Sequence, residues 1–191
     1  MTLAAGNGVT QSSAADLKSR RTLLSPFVGD DLEQLLAVFQ NADVRRFLLD
    51  DSLVSREWVQ SEIAASAERF SESGSGLWAV RLKTHTPIIG FAGFREFFEP
   101  PQLQLLYGLL PGYWGQGLAT EAATAVCDHA FQTLHLPKIQ AAIDTPNAAS
   151  RRVLKRLGMQ LVKTTPDDES GTEFYLLTRE DWKRPQGIDV G

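Results

Sequence analysis

Residues 109–122 read LLPGYWGQGLATEA, an apolar run that enters a glycine-rich turn and passes directly into a helical pattern. Gly115 and Gly117 have no Cβ atom, so phosphate oxygens can approach the main chain of this turn. The helix that begins near Leu118 adds the positive end of its dipole and several unbonded N–H groups. The stretch therefore predicts an anion site at a strand–turn–helix junction.

The turn does not match the two common nucleotide-binding loops. No Gly-Lys-Ser/Thr follows it, so it is not a P-loop, and Gly112, Gly115 and Gly117 are spaced in the opposite order to the dinucleotide fingerprint Gly-x-Gly-x-x-Gly. Two glycines in such a pattern can also serve only a tight strand-to-helix connection. The motif alone leaves both interpretations open.

The hydrophobic pattern around this turn predicts the element order βααβββαβαββ. His85 is expected in a turn of the three-stranded meander that precedes it, and Asp30 or Asp31 is expected to cap the first helix. After the turn, Asn147 caps a helix that stops at Gly158. The expected strands are 21–27, 77–82, 88–98, 103–110, 138–144, 159–164 and 172–178. A meander joined to a βαβ crossover predicts an α/β (α+β) fold with a mixed, mostly antiparallel central sheet and helices on both faces.

The composition predicts one domain in a reducing compartment. The chain has 191 residues, 43% of them hydrophobic, and we assign the domain to residues 19–184 between a flexible N-terminal tail (1–18) and a C-terminal tail (185–191). A formal net charge of -4 gives no reason to expect nucleic-acid binding. The one cysteine and the absence of zinc-ligand spacing favour a cytoplasmic protein without metal, and no run suits a membrane span or a secretion signal.

Two motifs resemble those of the GCN5-related N-acetyltransferase (GNAT) superfamily, and within it the RimJ/RimL-like ribosomal-protein acetyltransferase branch. PGYWGQGLATEA is similar to the pyrophosphate-binding motif, with Trp114 where many relatives have Gln or Arg. NAASRRVLKRLGM, residues 147–159, is similar to the following cofactor-side helix. The resemblance extends from about Arg21 to Trp182. It implies an N-acetyltransferase that uses acetyl-CoA as donor and a primary amine as acceptor.

The resemblance also implies which residues contact acetyl-CoA. The N–H groups from Gly115 to Thr120 would hold the pyrophosphate, and a main-chain N–H at Leu109, beside a strand bulge, would reach the acetyl oxygen. The complete set expected at the cofactor is Leu110, Trp114, Gly115, Gln116, Gly117, Leu118, Ala119, Thr120, Asn147 and Ser150.

The leaving thiolate and the attacking amine need further groups. Many relatives place a tyrosine where this chain has Leu154, so Ser150 is the expected contact of the CoA sulfur; the alternative is a serine that bonds its own helix backbone. Gln104 stands at the usual position of a glutamate on the fourth strand and cannot accept a proton at neutral pH. Possible substitutes acting through water are Glu96, Glu99, Glu121 and Asp144, each of which also suits an ordinary surface or hydrogen-bonding role.

The glutamine at the usual glutamate position affects which acceptor amine is expected. An α-amine with a pKa of about 8 is partly neutral without help, whereas a lysine at about 10.4 is not. A peptide N-terminus or a small-molecule amine of low pKa is therefore the expected acceptor, recognised by residues 47–58 and 97–101. The loss of both glutamate and tyrosine also fits a CoA-binding sensor or regulatory module without transferase activity. The sequence leaves the oligomeric state open, a dimer included.

Overall fold

The protein, as a computed structural model, is described for residues 15–166 and 171–188. Eight strands form one sheet in the order β1-β2-β3-β4-β5-β6-β8-β7. Neighbouring strands are antiparallel except β5 and β6, which are parallel. The strands are β1 (Leu17–Lys18), β2 (Thr22–Pro26), β3 (Leu77–Leu82), β4 (His85–Phe97), β5 (Gln102–Leu109), β6 (Lys138–Asp144), β7 (Gln160–Thr165) and β8 (Thr172–Thr178).

Helices cover both faces of the sheet. They are α1 (Leu32–Gln40), α2 (Ala42–Arg45), α3 (Arg56–Ser73), α4 (Leu118–Asp128) and α5 (Ala148–Arg156). One apolar cluster lies between the sheet and α4 and α5, and a second lies between the sheet and α1, α2 and α3. The predicted mixed sheet with helices on both faces is confirmed.

Local signals placed most element ends within a few residues. Asn147 caps α5 by accepting a hydrogen bond from the Ser150 N–H at 3.0 Å, and Gly158 takes the left-handed conformation with φ of 80°. The helix after Gly117 ends at Asp128 and continues as one π-helical turn to Thr133.

Two local predictions are wrong. Neither Asp30 nor Asp31 caps α1, and no side-chain cap is found at this helix end. The Asp31 Oδ1 pairs with Arg81 on β3, and its Oδ2 accepts the Val28 N–H at 3.4 Å in the 3-10 turn before the helix. His85 is the first residue of β4 and pairs with Leu82, so the turn is shorter than the proline-containing segment suggested.

The predicted tails lie partly outside the described residues, which leave out 1–14 and 189–191. Of the predicted N-terminal tail, Leu17 and Lys18 pair with β2. Near the other end, the Trp182 indole donates to Asp128 at 3.0 Å. In the described part of the chain, no helix combines the length and hydropathy that a bilayer span requires.

Candidate active site

A cavity of about 350 Å³ opens where β5 and β6 separate. The two strands pair at Gln104↔Gln140 and then diverge, and the cavity is lined by β5 from Leu105 onward and by Ala142 and Ile143 of β6. Residues from both faces of the sheet complete its walls. We call the part lined by residues 113–120 and 147–156 the donor half, and the part lined by residues 43–48 with Phe91 and Leu106 the acceptor half.

The main chain of β5 presents open hydrogen-bonding groups to this gap. Leu110 donates its N–H to the Ile89 carbonyl at 2.8 Å, and the β4–β5 register has no shift. Bonded and non-bonded pairs alternate along an antiparallel ladder, so the N–H and C=O groups of Tyr107 and Leu109 point away from β4 and toward β6. The Leu109 carbonyl accepts the Trp114 indole N–H at 2.5 Å. The N–H of Leu109 thus faces the gap, where the resemblance requires a donor to an acyl oxygen.

The glycine-rich turn has the backbone that an anion site needs. Gly115 and Gly117 have φ of 72° and 80°, in the left-handed region that favours glycine. A Cβ atom at Gly115 would meet no protein atom within 4 Å, so the approach to the main chain is open. The first intrahelical bond of α4 is donated by Glu121 to Gly117, which leaves the N–H groups of residues 118–120 without helix partners.

The surroundings of the Thr120 side chain indicate whether a polar ligand fits this turn. Its side chain is buried, lines the cavity, and has an Oγ1 atom without a hydrogen-bond partner among the described residues. A buried hydroxyl of this kind is costly unless something binds it. Together with the free N–H groups of the first turn of α4, it forms a donor set that suits the diphosphate of CoA.

Ser150 lines the donor half from the first turn of α5. Its N–H is bonded to the Asn147 side chain, and the hydrogen bonds of the described residues use its main-chain atoms but not its Oγ. Among the described residues, no hydrogen bond joins the Ser150 Oγ to the α5 backbone, and the contact with the CoA sulfur stays a prediction.

Tyr107 was not among the sequence-predicted site residues, and the structure brings it next to Ser150. Its hydroxyl donates to the Ser150 carbonyl at 3.2 Å, and its ring lines the cavity. Burial raises the pKa of Tyr107 well above its usual value, so the phenol stays protonated and remains a donor at neutral pH. No sequence spacing indicates this contact, since β5 and α5 meet only through the fold.

Two arginines of α5 were also missed. Arg152 and Arg156 line the donor half, one helical turn apart. Guanidinium groups suit phosphate oxygens. Their i, i+4 spacing within NAASRRVLKRLGM was the available signal.

Three predicted residues do not line the cavity. Leu110 packs against the α1–α3 side of the sheet, and its N–H is bonded to β4. The Gln116 side chain donates to the Gly112 carbonyl at 3.1 Å. Gln104 is buried at the point where the strands separate, and its Oε1 has no partner among the described residues. The other predicted cofactor residues, and Leu109, line the cavity.

The acceptor half is an apolar pocket with one carboxylate at its rim. Val44, Phe47, Leu48 and Phe91 line it, and the lining residue Asp43 is exposed. Of the predicted acceptor segments, only Phe47 and Leu48 reach this lining; residues 97–101 do not.

The four proposed substitute bases occupy different settings. Glu96 and Glu99 are exposed on β4 and the following turn, and Glu121 is buried in hydrogen bonds with Arg21 and Ser19. Asp144 ends β6, where burial and then the charge of Asp50 raise its pKa above the usual value. None of the four lines the cavity.

Comparison with known proteins gives the family. A model of the acetyltransferase (GNAT) domain matches residues 21–160. YoaA of Bacillus subtilis (strain 168), described as an uncharacterized N-acetyltransferase, is 28% identical over 145 residues, 75% of this chain and 82% of YoaA.

Solved structures share the fold. The ribosomal-protein-S5-alanine acetyltransferase from Vibrio fischeri has a TM-score of 0.75 at 19% identity, covering 88% of this chain and 99% of that one. RimL, a ribosomal alpha-N-protein acetyltransferase in complex with coenzyme A, has a TM-score of 0.70 at 14% identity, covering 83% and 94%. The family-model match over residues 21–160, on the split sheet and glycine turn described above, shows that the chain belongs to the GNAT acetyltransferase family and is an N-acetyltransferase with acetyl-CoA as its acetyl donor.

Proposed function

We propose that the chain acetylates a primary amine of low pKa, with acetyl-CoA entering through the donor half and the amine through the acceptor half. The observation that carries this proposal is the cavity at the β5–β6 gap, which is lined from both faces of the sheet. Two substrates could therefore approach the open edge of β5 from opposite faces of the sheet.

The donor half would bind the cofactor mainly through its main chain. The N–H groups of residues 115–120 and the Thr120 hydroxyl would hold the diphosphate, and Arg152 and Arg156 would face further phosphate oxygens. The edge of β5 at Tyr107 would accept the pantetheine arm as an added strand, because its main-chain groups have no β6 partner.

At the reacting centre, the Leu109 N–H would donate to the acetyl oxygen and stabilise the negative charge that develops there. The Ser150 hydroxyl would contact the leaving sulfur. The neutral Tyr107 hydroxyl, which donates its one proton to the Ser150 carbonyl at 3.2 Å, would turn from that carbonyl to the sulfur as negative charge develops there. The negative charge of the departing thiolate would thus be stabilised by one hydroxyl on β5 and one on α5.

The acceptor is proposed to arrive partly neutral. Asp43 is the one carboxylate that lines the cavity within the described chain, and it lies exposed at the rim, so no buried base faces the gap. At neutral pH an α-amine has a neutral fraction roughly 10²-fold larger than that of a lysine side chain. The name of the fold neighbour RimL, an alpha-N-protein acetyltransferase, supports the same choice. A cytoplasmic location, where acetyl-CoA is made available, agrees with the single buried cysteine.

Two peptides of identical sequence test the acceptor. One carries a free α-amine and a blocked lysine, and the other a blocked N-terminus and a free lysine. We expect kcat/KM with acetyl-CoA to be roughly 10²-fold higher for the free α-amine. A preference for the lysine peptide would contradict the low-pKa acceptor.

A broader panel tests transfer itself, with release of free CoA as the readout. Tight binding of acetyl-CoA without CoA release from any amine in the panel would indicate a binding module in place of an enzyme.

A further inference from the structure

Arg21 lies outside the cavity lining and is hydrogen-bonded to the main chain of the glycine-rich turn. Its Nη2 donates to the Gln116 carbonyl at 2.7 Å, and its Nε donates to Glu121 Oε1 at 2.7 Å. The same side chain thus contacts the turn and the first turn of α4 at once. These contacts span about 100 residues of sequence.

The contact with Gln116 fixes the direction of a peptide group. In a planar trans peptide the C=O and the following N–H point in opposite directions. Because Arg21 binds the Gln116 carbonyl from outside the cavity, the N–H of Gly117 is directed away from Arg21, and Gly117 lines the cavity. The glycines at 115 and 117 would otherwise allow this peptide to rotate at little cost.

The contact with Glu121 neutralises a negative charge next to the glycine-rich turn. Burial disfavours the ionised form of Glu121, but hydrogen bonds from Arg21 and Ser19 outweigh it and lower the pKa below its usual value. The carboxylate is therefore ionised at neutral pH, in the first turn of the helix that would face a diphosphate. Arg21 cancels this negative charge, with Nη2 at 2.6 Å from Oε1, and the Ser19 hydroxyl donates to Oε2 at 3.0 Å.

We infer that Arg21 is a positioning residue for diphosphate binding, which directs the Gly117 N–H into the cavity and neutralises Glu121 beneath the turn. The inference rests on the proposed placement of the CoA diphosphate in the glycine-rich turn. Arg21 would thus act in cofactor binding from outside the cavity lining.

The test compares acetyl-CoA with S-acetylpantetheine, a donor that has the same thioester but no diphosphate. In Arg21→Met we expect the KM for acetyl-CoA to rise roughly tenfold, since a hydrogen bond to a charged group is lost. The kcat/KM for S-acetylpantetheine and the KM for the amine are expected to stay at the wild-type values. Arg21→Lys keeps the charge without the two-pronged contact and is expected to lie between the two.

A double substitution separates positioning from folding. Adding Glu121→Gln to Arg21→Met removes the uncompensated charge, so part of the acetyl-CoA affinity is expected to return. Arg81→Met is the matched control, because Arg81 pairs with the similarly buried Asp31 outside the cavity lining. Its stability is expected to fall without a change in the KM for acetyl-CoA.

The inference is overturned if Arg21→Met raises the KM for both donors equally, or leaves both unchanged. Gly117→Ala provides the separate check on the site. If that variant binds CoA as the wild type does, the diphosphate does not lie in this turn, and both the placement and the inference are wrong.

Discussion

The donor and acceptor halves of the cavity are built by different means. The donor half consists of left-handed glycines, a helix N-terminus and a capped first turn, which are set mainly by residues close in sequence, with Arg21 as a long-range contact. The acceptor half consists of side chains from α2 and the segment after it, packed against Phe91 of β4. The donor half therefore depends mainly on local backbone conformation, whereas the acceptor half depends on long-range packing.

The largest effect is expected where the two halves meet. Tyr107→Phe removes only the hydroxyl beside Ser150, and we expect kcat to fall roughly tenfold to a hundredfold, as for other donors to developing negative charge. The KM for acetyl-CoA should change little, because the proposed contact of this hydroxyl is with the sulfur as it leaves. Steady-state rates with acetyl-CoA at saturating amine measure both quantities.

Tyr175→Phe is the control for this substitution. It removes a buried hydroxyl that donates to Glu173 at 2.8 Å, outside the cavity lining. Its kcat is expected to stay near that of the wild type. Equal losses of kcat in the two variants would show that Tyr107 supports the fold and has no part in the reaction.

A change in backbone conformation alone is expected to weaken cofactor binding in the donor half. Gly117→Ala places a Cβ atom at φ of 80°, which costs about 1–2 kcal/mol in the left-handed region. We expect the KM for acetyl-CoA to rise roughly tenfold, because relief of this strain rotates the N–H groups of the turn away from the anion. Binding of CoA measured by calorimetry checks the change directly.

Gly158→Ala is matched to that variant in geometry. Gly158 also has φ of 80°, and a Cβ atom there would meet nothing within 4 Å. The same backbone strain at the end of α5 should lower stability and leave CoA affinity unchanged. If both variants lose CoA affinity together, general destabilisation is the cause.

The acceptor half should respond to packing. A Cβ atom at Gly108 would lie 2.8 Å from Phe91 Cζ and 3.3 Å from Val44 Cγ1, so Gly108→Ala must displace the apolar wall. We expect a severalfold rise in the KM for the amine and a smaller change in the KM for acetyl-CoA. The opposite pattern, with acetyl-CoA affected more, would contradict the division into donor and acceptor halves.

The same division explains what the sequence could and could not predict. Asn147 and Gly158 were placed correctly because a cap and a C-terminal glycine act over a few residues. The cap predicted at Asp30 or Asp31 is wrong, because Arg81, 50 residues away, binds the Asp31 carboxylate. Tyr107 was missed because its partner Ser150 lies 43 residues away on a different element. Sequence patterns predict local geometry. They do not predict side-chain contacts between elements that only the completed sheet brings together.

The smallest expected effect is a change in the pH dependence of stability, and it concerns two glutamates that support the donor half. Glu121 lies beneath the glycine-rich turn, and Glu173 of β8 binds Arg151 of α5 at 2.8 Å and 2.9 Å. Hydrogen bonding to Arg151 outweighs burial and lowers the pKa of Glu173, and the pKa of Glu121 is also lowered. Both carboxylates therefore stabilise the fold above their unfolded pKa of about 4.5, and this contribution is lost as the pH falls through their lower folded values.

Urea unfolding at a series of pH values measures this loss. The free energy of unfolding is expected to fall as the pH drops below about 4.5, and less steeply in Glu121→Gln and Glu173→Gln, which have one titrating group fewer. Glu33→Gln is the control, because Glu33 forms an exposed pair with Arg56 that should contribute little. An acid profile unchanged in both test variants would show that these ion pairs do not stabilise the glycine-rich turn and α5, and the rigidity of the donor half would then have to come from its backbone and apolar packing.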